Sequence, residues 1–230
     1  MGLYVDSAYL PDVERVCQKL ELAGATTNPS ILLAAWQRGQ RLTGVEVLKE
    51  LLQICPGHIF MQPSGETAET LYRMATEYRA LAPERVVPKL PLTPAGMAVG
   101  RRFKQEGARF SFTCVFTVAQ AYCGALAGAQ YVIPYFGRLR RSGQDACERI
   151  EAMAHLLSAQ GLGTRVLAAS IKTTRDAEEA LLAGAHDLTA TPEALEALLA
   201  DPLTDAAVAQ FQRDWETFSR FAASRSGSGN

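Results

Sequence analysis

Lysine is scarce in this chain of 230 residues: there are five, against 18 arginines. Lys19, Lys49 and Lys104 fall on polar faces of helix-like stretches, where a solvated charge is the expected state. Only Lys89 and Lys172 end strand-like segments. The glycine fingerprints of nucleotide sites are missing too. No strand-like run leads into G-x-G-x-x-G, and no G-x-x-x-x-G-K-[ST] occurs, which removes the usual support for a dinucleotide or P-loop site. Cys17, Cys55, Cys114, Cys123 and Cys147 are odd in number and contain no C-x-x-C pair, so they point to reduced thiols in a cytoplasmic protein. His58, His155 and His186 lie far apart and match no metal-ligand spacing. No run approaches the roughly 18 apolar residues of a membrane span, and no basic and apolar leader precedes the strand-like Leu3-Tyr4-Val5. The formal net charge is −1 and the arginines are dispersed among acids, so no continuous basic face offers itself to nucleic acid.

What is present is a rhythm. With 48% hydrophobic and 20% charged residues, the chain can bury a substantial core. Strand-like segments at 3–6, 22–26, 59–62, 86–90, 109–113, 131–135, 165–170 and 187–189 alternate with helix-like stretches of 10 to 15 residues. The stretch at 29–54 is interrupted near Gly44. Such alternation implies right-handed βαβ units and a parallel sheet. Eight units in about 200 residues suit a (β/α)₈ TIM barrel at the short end of its size range, with a doubly wound sheet as the other arrangement. Residues 203–222 form an additional C-terminal helix, with Val208, Phe211, Trp215, Phe218 and Ala222 at helical spacing. Residues 1–222 are expected to form one barrel domain that includes this helix, and the small, polar 223–230 a flexible tail.

Lys89 interrupts the run Arg85-Val86-Val87-Pro88-Lys89-Leu90-Pro91-Leu92-Thr93, where a strand should be buried and a charge unwelcome. Desolvation disfavours an ammonium, and a neutral amine is what attacks a carbonyl to form a Schiff base. At an ordinary pKa near 10.4, about one lysine in 2,500 carries that free amine at pH 7. A lysine that snorkels or pairs with a carboxylate at a strand end is the structural alternative. In (β/α)₈ enzymes the catalytic groups lie at the C-terminal ends of the strands. Those ends select Asp6, Thr27, Asn28, Gln62, Lys89, Thr113, Tyr135, Arg138, Ser170 and Lys172, with Thr189 a further candidate. Taken singly, several have structural explanations: Asp6 and Asn28 as helix caps, Tyr135 as a rim aromatic with its hydroxyl satisfied.

Leu3-Tyr4-Val5-Asp6-Ser7, Ala23-Gly24-Ala25-Thr26-Thr27-Asn28-Pro29-Ser30, Val87-Pro88-Lys89-Leu90-Pro91-Leu92-Thr93, Ala125-Leu126-Ala127-Gly128-Ala129-Gln130-Tyr131-Val132-Ile133-Pro134-Tyr135 and Leu167-Ala168-Ala169-Ser170-Ile171-Lys172-Thr173 resemble motifs of the transaldolase superfamily. The match runs in order from residue 3 to about Trp215, and is nearest to the short fructose-6-phosphate aldolases. The resemblance implies an α/β barrel with a Schiff-base lysine on its fourth strand, a class I aldolase that uses no metal or cofactor. It assigns the nucleophile to Lys89, proton transfer to Asp6, and donor binding to Asn28 with its neighbour Thr27. Gln62, Thr113 and Tyr135 match the groups that hold a catalytic water, and Arg138 and Ser170 match the acceptor phosphate site, with Lys172 as a second positive charge. The substrates implied are a ketone donor of the dihydroxyacetone type and an aldehyde or sugar-phosphate acceptor. The resemblance also implies a homo-oligomer, such as a decamer-like ring in which the C-terminal helix contacts a neighbour.

At position 62 transaldolases carry a glutamate that activates water, whereas the aldolase branch resembles this chain in carrying glutamine, which cannot act as a general base. Aldol cleavage is therefore expected ahead of transaldolase transfer, and a non-catalytic phosphosugar-binding barrel is the alternative from another class. Several positions depart from the aldolase pattern. Pro88 removes a ladder N–H beside the lysine and is expected to make the strand irregular. Gly137 stands where asparagine is common, Ser111 and Phe112 replace an aliphatic residue and a glycine, and Ile133 replaces a small residue. Ile133 and Phe112 are expected to add bulk near the donor pocket.

Overall fold

A computed structural model describes residues 2–226. Eight strands, β1 (Leu3–Asp6), β2 (Gly24–Thr26), β3 (His58–Met61), β4 (Val86–Pro91), β5 (Ser111–Val115), β6 (Tyr131–Pro134), β7 (Arg165–Ile171) and β8 (Asp187–Ala190), are joined by α1 (Leu10–Cys17), α2 (Pro29–Gln37), α3 (Gly44–Ile54), α4 (Ala68–Ala80), α5 (Pro94–Gln105), α6 (Val118–Leu126), α7 (Phe136–Arg141), α8 (Ala146–Ala159) and α9 (Thr174–Leu182). After β8 come α10 (Pro192–Ala197) and α11 (Pro202–Ser226). Each strand pairs in parallel with the next, and β8 pairs with β1, so the sheet closes into a (β/α)₈ barrel. The doubly wound alternative is excluded by that closure.

Local chemistry starts the helices where they start. Thr43–Glu46, Thr67–Thr70 and Thr117–Gln120 form capping boxes on α3, α4 and α6, each satisfying orphan N–H groups at the helix entry. Asn28 caps α2, its side chain accepting from Ile31 N at 3.0 Å ahead of Pro29. The short helices α7 and α10 have no counterpart in the sequence reading, because six residues are too few for a periodic apolar stripe.

Inward-facing residues fill the barrel: Tyr4, Phe60, Val87, Tyr131, Ile133, Tyr135, Leu167 and Ala169 form one buried cluster. Phe60 lies edge-on to Tyr4 and Tyr131, with centroids 5.3 and 5.1 Å away. Residues of the opposite parity pack outward against the helices. Phe112 is one of them, and a Cβ at Gly100 of α5 would come within 2.7 Å of its ring. Its bulk therefore fills the strand-to-helix layer and leaves the donor pocket unaffected, contrary to the expectation. Ile133 lies in the barrel interior.

Pro88 also behaves differently from expectation. β3 and β4 stay in register through Met61↔Pro88, and β4 and β5 from Lys89↔Ser111 onward. Pro88 lies on the outward parity, and its carbonyl accepts from Ser111 Oγ at 3.1 Å. The irregularities fall instead on β5, between Thr113 and Val115, and on β7, between Ala168 and Ile171. They coincide with two non-glycine residues at positive φ, Cys114 (61°) and Ser170 (64°). Bulges of this kind re-aim side chains at barrel rims.

Residues 2–196 form one structural unit, and 197–226 belong to a second. Within the second, α11 carries Leu203, Val208, Phe211, Trp215, Phe218 and Phe221, all well exposed, with Trp215 and Phe218 in ring contact at 5.7 Å. The helix runs four residues past its expected end at 222; residues 227–230 of the expected tail lie outside the described residues.

Candidate functional site

Lys89 lies on β4 with the inward parity of Val87 and is 2% exposed. Burial pushes its pKa below the ordinary lysine value; the Asp6 carboxylate and Cys114 pull the other way, and Arg138 adds to the lowering. Asp6 ends β1. Its carboxylate accepts from Thr26 Oγ1 at 2.6 Å, and Thr26 Oγ1 is 2.5 Å from Thr189 Oγ1. A hydroxyl has one proton. With Thr26 donating to the carboxylate, Thr189 donates to Thr26, so the chain of bonds is directed from β8 through β2 to β1. Burial raises the Asp6 pKa, opposed by Lys89, the Thr26 hydrogen bond, Arg138 and Lys172. The amine is lowered and the carboxyl raised, so the two are brought toward one another's range. Asp6 does not cap α1, whose N-cap position is Tyr9 and has no side-chain cap.

On the far side, Thr113 Oγ1 and Tyr135 Oη are 2.8 Å apart and buried. Burial pushes the Tyr135 phenol up to about 12, so it is a protonated donor at neutral pH. The Arg138 guanidinium stacks over the Tyr135 ring at 4.4 Å, and Phe116 meets the ring edge-on at 5.7 Å. Cys114, turned by its positive φ, brings Sγ to 3.8 Å from Tyr135 Oη.

Asp6, Asn28, Lys89, Tyr135, Arg138, Ser170 and Lys172 line one cavity of about 250 Å³ at the C-terminal end of the barrel, joined there by Ser30 and Arg141. Lys89 is buried, while Arg138, Arg141 and Lys172 are exposed. The cavity thus has an amine and a carboxyl within and a cationic rim. Asn28 spends its carbonyl on the α2 cap and keeps its Nδ2 donors. Three expected residues, Thr27, Gln62 and Thr113, are not at the wall, Thr113 reaching the site only through its contact with Tyr135. Thr27 is fully buried, with its hydroxyl directed to the Phe60 carbonyl at 3.2 Å and Met61 Sδ at 3.1 Å, which is a structural role. Gln62 follows β3 and does not line the cavity. Its Oε1 is buried without a hydrogen-bond partner, a state that a bound water would relieve. The sequence reading missed Thr26, Ser30, Cys114 and Arg141. The Asp6↔Thr26 register places Thr26 on the carboxylate, and choosing it over Thr27 requires that register. Among the described residues, no group of three or more His, Cys, Asp or Glu is placed to hold a metal ion, and no helix is long and apolar enough to cross a membrane.

The chain is similar to proteins named probable transaldolase from Symbiobacterium thermophilum, 34% identical over 216 residues (94% of this chain, 97% of the relative), and from Roseobacter denitrificans, 36% identical over 219 residues (94% and 97%). Solved structures share the fold at low identity. A putative phosphonomutase from Burkholderia cenocepacia matches with a TM-score of 0.57 at 16% identity, covering 91% of this chain and 92% of that one. A putative dihydrodipicolinate synthase family protein from Coccidioides immitis matches with a TM-score of 0.59 at 9% identity, covering 82% and 66%. A sequence model of the transaldolase/fructose-6-phosphate aldolase family matches residues 3–226, and the chain belongs to that enzyme family.

Proposed function

We propose that the protein is a class I aldolase that cleaves and forms a carbon–carbon bond between a dihydroxyacetone-type ketone and an aldehyde such as glyceraldehyde 3-phosphate. The observation that carries this reading is Lys89: a buried amine of lowered pKa, on the fourth strand of the barrel, lining the same cavity as Asp6. Neutral Lys89 attacks the ketone carbonyl. The carbinolamine loses water to become an iminium, whose positive charge accepts the electron pair released when the carbon–carbon bond breaks. Asp6, oriented by Thr26 and Thr189, exchanges the protons that carbinolamine formation and dehydration require. Tyr135, paired with Thr113, holds the water that delivers a proton to the enamine, while Gln62, off the cavity wall, is assigned to that water by the resemblance alone. Asn28 binds donor hydroxyls. Arg138, Ser170 and Lys172 bind the acceptor phosphate. The enzyme is read as metal-independent and cytoplasmic, and as a homo-oligomer in which the apolar face of α11 is covered by another copy, a decamer-like ring being one such assembly.

A second reading, transaldolase, is favoured by the names of the relatives. Gln62 argues against it, because an amide cannot serve as the base that activates water. A coupled assay separates the two: release of free dihydroxyacetone from fructose 6-phosphate is expected to outpace transfer to erythrose 4-phosphate, and the reverse order would establish the transferase. Borohydride reduction in the presence of dihydroxyacetone should leave a mass adduct on Lys89. No adduct with any small ketone would mark the barrel as a phosphosugar-binding protein without catalysis.

A further inference from the structure

The rim of the cavity holds more positive charge than Arg138 alone supplies. α7 carries three arginines in six residues, and they divide by partner. Arg140 is committed to acids, bonding Asp176 at 2.7 Å and pairing with Glu179. Arg138 and Arg141, one helical turn apart and therefore on one face, both line the cavity and have no carboxylate at salt-bridge distance among the described residues. Arg141 Nη2 reaches Ser170 Oγ at 3.5 Å. Lys172 likewise lines the cavity with no carboxylate at salt-bridge distance among the described residues.

Gly137 makes this approach possible. A Cβ there would lie 2.3 Å from the Ser170 carbonyl oxygen, 3.1 Å from Ser170 Oγ and 3.3 Å from Arg141 Nη1. Only a residue without Cβ lets α7 pack directly on the positive-φ turn of Ser170, and that packing aims Ser170 Oγ and the Arg141 guanidinium at the same space. The glycine at 137 thus removes a side chain and admits a guanidinium from one turn later.

We propose that Arg141 is a specificity-determining residue that, with Arg138 and Ser170, forms a two-guanidinium clamp selecting phosphorylated aldehydes over neutral ones. The inference rests on the aldolase reading of the cavity. A phosphate monoester offers up to two negative charges and three acceptor oxygens, enough for both guanidiniums and the Ser170 hydroxyl. A neutral aldehyde leaves three like charges facing one another across the rim.

The test compares the full-length protein with Arg141→Gln and Arg141→Lys in addition of dihydroxyacetone to glyceraldehyde 3-phosphate and to unphosphorylated glyceraldehyde. Arg141→Gln should lose roughly 10- to 100-fold in kcat/KM with the phosphorylated aldehyde, mainly through KM, as expected for one charge-assisted contact. The neutral aldehyde should change by less than about twofold, and Arg141→Lys should recover part of the loss. Equal losses on both aldehydes, or none on either, overturn the inference. Calorimetric titration with inorganic phosphate needs no turnover: weaker binding to Arg141→Gln supports the clamp, and unchanged binding refutes it. Borohydride trapping of dihydroxyacetone on Lys89 reports separately on the aldolase reading, so its failure leaves the phosphate titration to decide the fate of Arg141.

Discussion

The two ends of the barrel treat charge in opposite ways. At the N-terminal end, Arg165, Arg85 and Arg109 have partners within the chain. Arg165 and Asp187 open β7 and β8 and form a two-pronged pair at 2.7 and 2.9 Å. Arg85 donates to the carbonyls of Leu52, Cys55 and Gly57, and Arg109 meets His58 Nε2 at 3.1 Å. At the C-terminal end, Lys89 is buried beside a carboxyl whose own pKa is raised, Gln62 keeps an unsatisfied oxygen, two residues take positive φ, and Arg138, Arg141 and Lys172 face the cavity. Satisfied polar groups stabilise a fold, whereas unsatisfied ones persist where a ligand completes them. The contrast separates the supporting end of the barrel from the reacting one without reference to any relative.

If that division is right, substitutions at the two ends should have separable consequences. Lys89→Met should abolish turnover, by at least about 10³-fold in kcat, and eliminate the borohydride adduct while the protein still folds. Arg165→Met should do the reverse. Removing it strands the buried Asp187 carboxylate and should cost about 3–5 kcal/mol, lowering Tm by roughly 10 °C in thermal melts while Lys89 still traps dihydroxyacetone. Thr26→Val should lower kcat by about tenfold and distort the pH profile set by Asp6, with little change in KM, because the carboxylate keeps its place but loses its orienting donor. The smallest effect concerns acid stability. Burial and the Arg109 and Arg85 charges lower the His58 pKa. Below about pH 6.5 the unfolded chain therefore binds the proton more readily than the native one. Stability from His58 is fully present above 6.5 and is lost as pH falls through the lowered native value, so His58→Gln should flatten the decline of Tm on that limb. Loss of catalysis from Arg165→Met at unchanged Tm would dissolve the distinction between the ends.

The barrel itself was legible because eight apolar segments recur at helix-length intervals, and β4 was recognisable by the one lysine set in an apolar run. Phe112 was misplaced although period two forbids it: once Thr113 is taken as inward, its neighbour must face the helices. Pro88 drew attention as a ladder breaker, yet it sits at an outward position where the parallel register holds. The true irregularities, at Cys114 and Ser170, carry no sequence signal, since neither residue is glycine. Arg141 escaped notice for a related reason. In the run Arg138-Leu139-Arg140-Arg141 the arginines look alike, and only the fold assigns acids to one of them.

The hydroxyl chain onto Asp6 ties the carboxylate to the closure of the barrel. Its three members come from β1, β2 and β8, so the seam where the sheet closes runs through the hydrogen bonds of the Asp6 carboxylate. Thr189 supplies the β8 member, so a barrel without its last strand lacks the donor to Thr26. The order of the hydrogen bonds on Asp6 therefore depends on the docking of the final strand against the first.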